Sequence, residues 1–116
     1  MHQIVKALRH HITTTILPDY PWNWQTFIGD LYESEDEIIG RSLTFAVPNN
    51  EGTFAIILKI NIFSTTTQIT ILHHYKDKAN KTLDLNDPNS TQTMDKIINR
   101  TLNKIKQEHQ TCHTPA

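Results

Sequence analysis

Seven histidines in a chain of 116 residues raise the first question of chemistry. Two stand together as His73-His74 in the stretch TQITILHHYKDK, two as His10-His11, and His109 and His113 flank Cys112, the single cysteine. Imidazole and thiolate are zinc ligands, but a structural zinc site takes four ligands held on a fixed backbone. HQTCH offers three donors in a polar stretch near the end of the sequence, which reads as a flexible tail over 109–116. His10 and His11 are neighbours on a helix and lack the i, i+4 spacing of a helical metal pair. His73 and His74 fall on what reads as a strand, where neighbours point to opposite faces, so ordinary strand geometry keeps them from sharing one ion. The reading is therefore no metal and no cofactor.

The carboxylates Glu33, Glu35, Asp36 and Glu37 lack the alternating oxygen ligands and the glycine of a calcium loop, and read as a solvated acidic turn. Asp30 and Glu33 would serve as an acid and a base, but nothing selects that pair over any other. With three glycines in total, the chain has no G-x-S-x-G, no P-loop and no G-x-G-x-x-G. No catalytic residue is nominated, and the expectation is a protein that is not an enzyme.

The bulk numbers narrow the class further. A formal charge of −1 provides no global field toward nucleic acid or an anionic membrane. One cysteine excludes an internal disulfide and suits a reducing, cytoplasmic setting. The N-terminal stretch has no continuous apolar core of a signal peptide, and no run of apolar residues is long enough to span a bilayer. The N-x-S/T triplets at Asn80, Asn89 and Asn99 are then chance matches. The abundance of Ile, Thr, Asn and Lys is what an AT-rich microbial or viral coding sequence would give.

The elements that must position these residues follow from periodicity. Ile4, Val5, Leu8, Ile12 and Ile16 predict an amphipathic helix over 3–16, closed by Pro18. PDYPWNW is a stiff aromatic loop. From Gln25 the period changes to two: a first strand interrupted at Gly29, a second from about Ile38 to Val47, a third from Thr53 to Phe63 with Phe54, Ile56, Leu58, Ile60 and Ile62 on one face, and a fourth from Gln68 to Lys76. The segment KDKANKTLDLNDPN reads as polar loop, with a short edge strand at Thr82–Leu85 left open. Asp87-Pro88 or Ser90 starts a last helix with Met94, Ile97, Ile98, Leu102 and Ile105 as its apolar stripe. The plan is α-β-β-β-β-α: a single α+β domain over 1–108, a two-layer sandwich in which both helices cover one face of an antiparallel four-stranded meander.

That plan leaves one sheet face free, carrying Ser42, Thr44, Ala46, Ala55, Ile57, Lys59, Asn61, Thr70, Leu72, His74 and Lys76. It reads either as a solvated face or as a docking surface centred on Ile57 and Leu72, for a protein partner or a second copy. Tyr20, Trp22 and Trp24 supply the kind of aromatic area that anchors interfaces, with Trp22 expected to be the more exposed tryptophan. The partner-binding residues are thus Trp22, Trp24, Ile57, Leu72 and His74, on an adaptor, inhibitor, immunity or chaperone-like protein. The alternative is a nucleic-acid-binding module using Lys96, Arg100 and Lys104, which recur at i, i+4, i+8 on the last helix. The double-stranded-RNA-binding module resembles this chain in element order only; its second helix opens on a lysine cluster, where DPNSTQTMDK is acidic to neutral.

Overall fold

The computed structural model describes residues 2–113, with side chains over 3–108. The helix α1 (His2–His11) runs into a π turn at Ile12–Ile16 and a short 3-10 turn at Leu17–Asp19. In the π turn the Leu17 N–H donates to the Ile12 carbonyl, a wider loop than an α-turn. It keeps Ile12 and Ile16 inside the core and Thr13, Thr14 and Thr15 in water. Three successive β-branched threonines crowd an ordinary helix, and Thr14 Oγ1 also donates back to the His10 carbonyl at 2.7 Å.

Five strands follow: β1 (Gln25–Ser34), β2 (Glu37–Pro48), β3 (Phe54–Phe63), β4 (Thr66–His73) and β5 (Lys76–Asp84), and then α2 (Ser90–His113). They form one antiparallel sheet in the order β1-β2-β3-β4-β5. The chain is thus α+β, with a helix before and after an antiparallel meander, but the meander has five strands where the periodicity predicts four. The extra strand comes from the stretch read as polar loop. Its inward positions are Ala79, Lys81 and Leu83, so only Ala79 and Leu83 pack against the core and the alternation is too weak to see. Gly29 does not interrupt β1, which pairs with β2 straight through it.

Both helices lie on the face made by Leu43 and Phe45 of β2, Ile56, Leu58, Ile60 and Ile62 of β3, and Ile69 and Ile71 of β4. These side chains join Val5, Ile12 and Ile16 and, from α2, Met94, Ile98, Leu102 and Ile105 in one buried cluster. At about 1.5–3 kcal/mol for each fully buried large aliphatic, this cluster dominates the stability. Polar contacts set how the helices sit on it. His11 Nε2 meets both Asp95 carboxylate oxygens at 2.9 and 3.0 Å, linking α1 to α2. The aromatic loop is fastened to α2 by the Tyr20 hydroxyl, which donates to the Asn99 carbonyl at 2.9 Å, and by Lys106, whose Nζ donates to the Asp19 carbonyl at 3.2 Å. At the entry to α2, Asp87 Oδ1 accepts from the Asn89 N–H at 2.9 Å, the side-chain turn that an Asp-Pro start predicts.

Four irregularities interrupt the ladders, one of them leaving Glu33 of β1 unpaired between Tyr32 and Ser34. Val47 pairs with Ile56 and Pro48 with Phe54, so Ala55 is the extra residue. Ala55 turns toward the core and Phe54 to the opposite face, reversing the expected placement of both. Ile39 is the extra residue opposite β1, and Lys78 the extra one opposite β4. α2 runs through the start of the expected tail; side chains from 109 onward and residues 114–116 lie outside the described residues, and with them the HQTCH donors.

Candidate functional site

The helix-free face is built on small residues of β2. Register places Gly40, Ser42, Thr44 and Ala46 there, between β1 and β3. Large side chains of the flanking strands reach over them. Phe27 of β1 and Phe54 of β3 meet edge to face at 6.1 Å, and Ala46 between their strands is only 1% exposed. At the other end Gly40 sits between Leu31 and Phe63, and a Cβ there would fall 2.5 Å from the Ile62 carbonyl oxygen. Ile57 and Leu72 pair directly across β3 and β4 and are half-buried. This face is therefore more apolar than its threonines suggest, and Phe27 remains 48% exposed.

His74 does not belong to that face. β4 ends at His73, and His74 and Tyr75 form the turn into β5 with φ of 51° and 63°. Two consecutive left-handed residues make the hairpin turn that usually carries Asn-Gly. Without Asn or Gly the sequence shows no turn signal, although histidine tolerates this region better than most residues. The consequence reverses the argument from strand alternation: the His73 and His74 rings lie 4.3 Å apart, tilted by 33°. Tyr75, which strand alternation with Ile69 and Ile71 would put on the core face, is exposed instead, its hydroxyl accepting from the Phe54 N–H at 3.2 Å.

The two rings border an open pocket of about 280 Å³ lined also by Trp22, Val47, Pro48, Asn49, Asn50, Ala55, Ile56 and Ile105. Burial pushes the His73 imidazole below its ordinary value, His74 adds to that shift, and Glu108, 3.5 Å from His73 Nδ1, opposes it. The same carboxylate reaches Lys78 at 3.6 Å. Among the described residues no group of three His, Cys, Asp or Glu side chains converges to hold a metal, and the cavity is smaller than most ligand pockets.

The tryptophans divide their roles differently from expectation. Both are half-buried against the core, and the fully buried aromatic of the loop is Tyr20. Tyr20 stacks on Trp22 at 5.9 Å, and Trp24 Nε1 donates to the Tyr20 carbonyl at 2.8 Å. Burial, with Asp19 adding, raises the Tyr20 hydroxyl above its usual value. The loop thus closes the core and lends Trp22 to the cavity. On α2, Lys96, Arg100 and Lys104 are exposed, whereas Lys106 folds back over the Tyr20 ring at 5.8 Å.

The feature that sequence reasoning missed is the exposure of β1. Nine of its ten residues are exposed, on both faces, because the strand lies beyond the cover of either helix. Phe27, Ile28 and Tyr32, with Ile38 of β2, are 48%, 40%, 55% and 53% exposed. Alternation showed a strand and the meander plan put it at an edge, but nothing in the sequence showed that the helices leave it uncovered. No helix among the described residues is long and apolar enough to cross a membrane. No family model, no curated protein and no solved structure matches the chain.

Proposed function

We propose that this chain is a small, non-enzymatic protein-binding module whose contact surface is the helix-free face of the sheet. The observation that carries the reading is the apolar end of that face. The Phe27–Phe54 pair stands beside Ile57 and Leu72 on adjoining strands, while both helices lie on the other side. Adaptor, inhibitor, immunity and chaperone-like roles all use such a surface, and aromatic anchors of this kind carry most of the energy at interfaces. Trp22 contributes only its cavity-facing edge.

The test is capture of partners from native lysate, with and without nuclease, by the wild type and by Ile57→Asp and Leu72→Asp. A stoichiometric, nuclease-resistant protein lost in both variants, with an unchanged far-ultraviolet spectrum, is the expected result. Retention of that partner by both variants sinks the reading.

One observation favours a second reading. The α2 acids are committed elsewhere, Asp95 to His11 and Glu108 to His73 and Lys78, which leaves Lys96, Arg100 and Lys104 as a cationic stripe. A nucleic-acid-binding module built on it predicts affinity that falls steeply with salt, and that drops for every sequence when the three are replaced with Gln. Affinity that ignores salt removes it.

A further inference from the structure

We propose that β1 is the interface between two copies of this chain, paired antiparallel about a two-fold axis at Ile28 so that two five-stranded sheets become one continuous sheet. The inference uses the sheet edge and does not depend on the function proposed for its face. An edge strand presents a row of unpaired N–H and C=O groups, and natural proteins blunt such edges with lysine, proline, bulges or a covering element. β1 has no lysine or proline along its ten residues, and its pairing with β2 is regular from Gln25 to Leu31.

Its residues match themselves over the whole regular segment, Gln25 to Leu31, only when the axis passes through Ile28. Faces are preserved by a two-fold axis normal to the sheet, so partners on β1 must share parity. Centring on Asp30 opposes two carboxylates, and centring on Gly29 sets Ile28 against Asp30 of the other copy. Centring on Ile28 opposes Ile28 to Ile28, Phe27 to Gly29, Thr26 to Asp30 and Gln25 to Leu31. No like charges meet, and Asp30 is already neutralised by Arg41 at 2.8 Å. Exposed Ile28 finds an apolar partner, and an aromatic stands opposite a glycine, a favourable cross-strand pair.

Gly29 is the second observation. Nothing lies within 4 Å of where its Cβ would be, and its backbone is outside the left-handed region. Within one chain, glycine there only weakens the strand; close approach of another backbone is one of the uses of an interior strand glycine, beside bulges and bends, and β1 is neither bulged nor bent at Gly29. Joining β1 to β5 of another copy would match acids to lysines, but the Lys78 bulge breaks that edge and the contact would grow into an open polymer. A single strand pair buries less than the ~800 Å² per partner of a standard interface, so the dimer is reversible and concentration-dependent.

The experiment is sedimentation velocity over a concentration series on the full chain, with Ile28→Lys, Gly29→Val and Leu72→Asp. The expected result is a monomer–dimer equilibrium abolished by Ile28→Lys, weakened by Gly29→Val and untouched by Leu72→Asp. Ile28 is exposed and Gly29 has open space, so both variants fold, which their denaturation midpoints check. A monomer at every concentration overturns the proposal, as does a polymer that grows without limit. A dimer that survives Ile28→Lys but not Leu72→Asp moves the contact to the sheet face and overturns it equally. Partner capture by a strictly monomeric protein would refute the dimer alone and leave the proposed function standing.

Discussion

The two outer strands of this sheet are opposites. β5 carries Lys76, Lys78 and Lys81, is bulged at Lys78, and lays Ala79 and Leu83 against the core beneath α2. β1 carries no lysine, projects past the helices and leaves apolar side chains in water on both faces. Lysines and a mid-strand bulge protect one edge from pairing, whereas β1 has no lysine and its irregularities are confined to its end beyond Leu31, leaving Gln25 to Leu31 regular. The molecule is accordingly long, 53 × 32 × 23 Å, with a covered half and a bare one. The lesson is that an edge must be judged by the residues along it and by what lies over it, since both edges belong to one regular meander.

The bare half can be tested against its own hairpin. Gly40→Ala forces a Cβ against the Ile62 carbonyl oxygen at 2.5 Å, so a loss of about 1–3 kcal/mol is expected in denaturant unfolding. Gly29→Ala, one strand over and with open space, should gain about 0.5–1 kcal/mol. Equal losses at both glycines would mean that β1 is packed as tightly as the rest.

At the covered edge the leverage is in the turn. Replacing His74-Tyr75 by Asn-Gly relieves two left-handed residues, each costing roughly 1–2 kcal/mol, and gives up the Tyr75 hydroxyl contact with Phe54. A net gain of about 1 kcal/mol is expected; a loss would show that the aromatic contact outweighs the backbone strain.

The smallest effect is one of pH. His73 has a folded-state pKa below its ordinary 6.5, mainly through burial, so as pH falls the unfolded chain takes up the proton first. The stability present above pH 6.5 declines below it, and His73→Gln should flatten that decline in unfolding curves measured on either side. A decline that persists in His73→Gln would assign it to other groups.

Much of this was legible in the residues. Period-two runs showed β2 and β3, the Ser90 alternative placed the start of α2, and the stripe from Met94 to Ile105 chose its buried side. β5 was legible only as an open possibility at Thr82–Leu85, because just two of its three inward side chains are apolar, and the His74-Tyr75 turn was not because it lacks the residues that such turns favour. The candidate surface was half legible: Ile57 and Leu72 do share the helix-free face, whereas His74 left it with the turn. Phe54 crossed to that face through a bulge that no local pattern records.

By itself the sequence determined the class, two amphipathic helices around an antiparallel sheet, because hydrophobic periodicity is a local property that burial must satisfy. It also showed none of the local motifs, such as G-x-S-x-G or a P-loop, that can be read from short spacings. Tertiary structure alone decided that the first edge strand is left uncovered, which aromatics met over Ala46, and that His73 and His74 come together. Those outcomes depend on strand order, register and bulges, which are settled by how the whole sheet closes over one core and not by any segment within it.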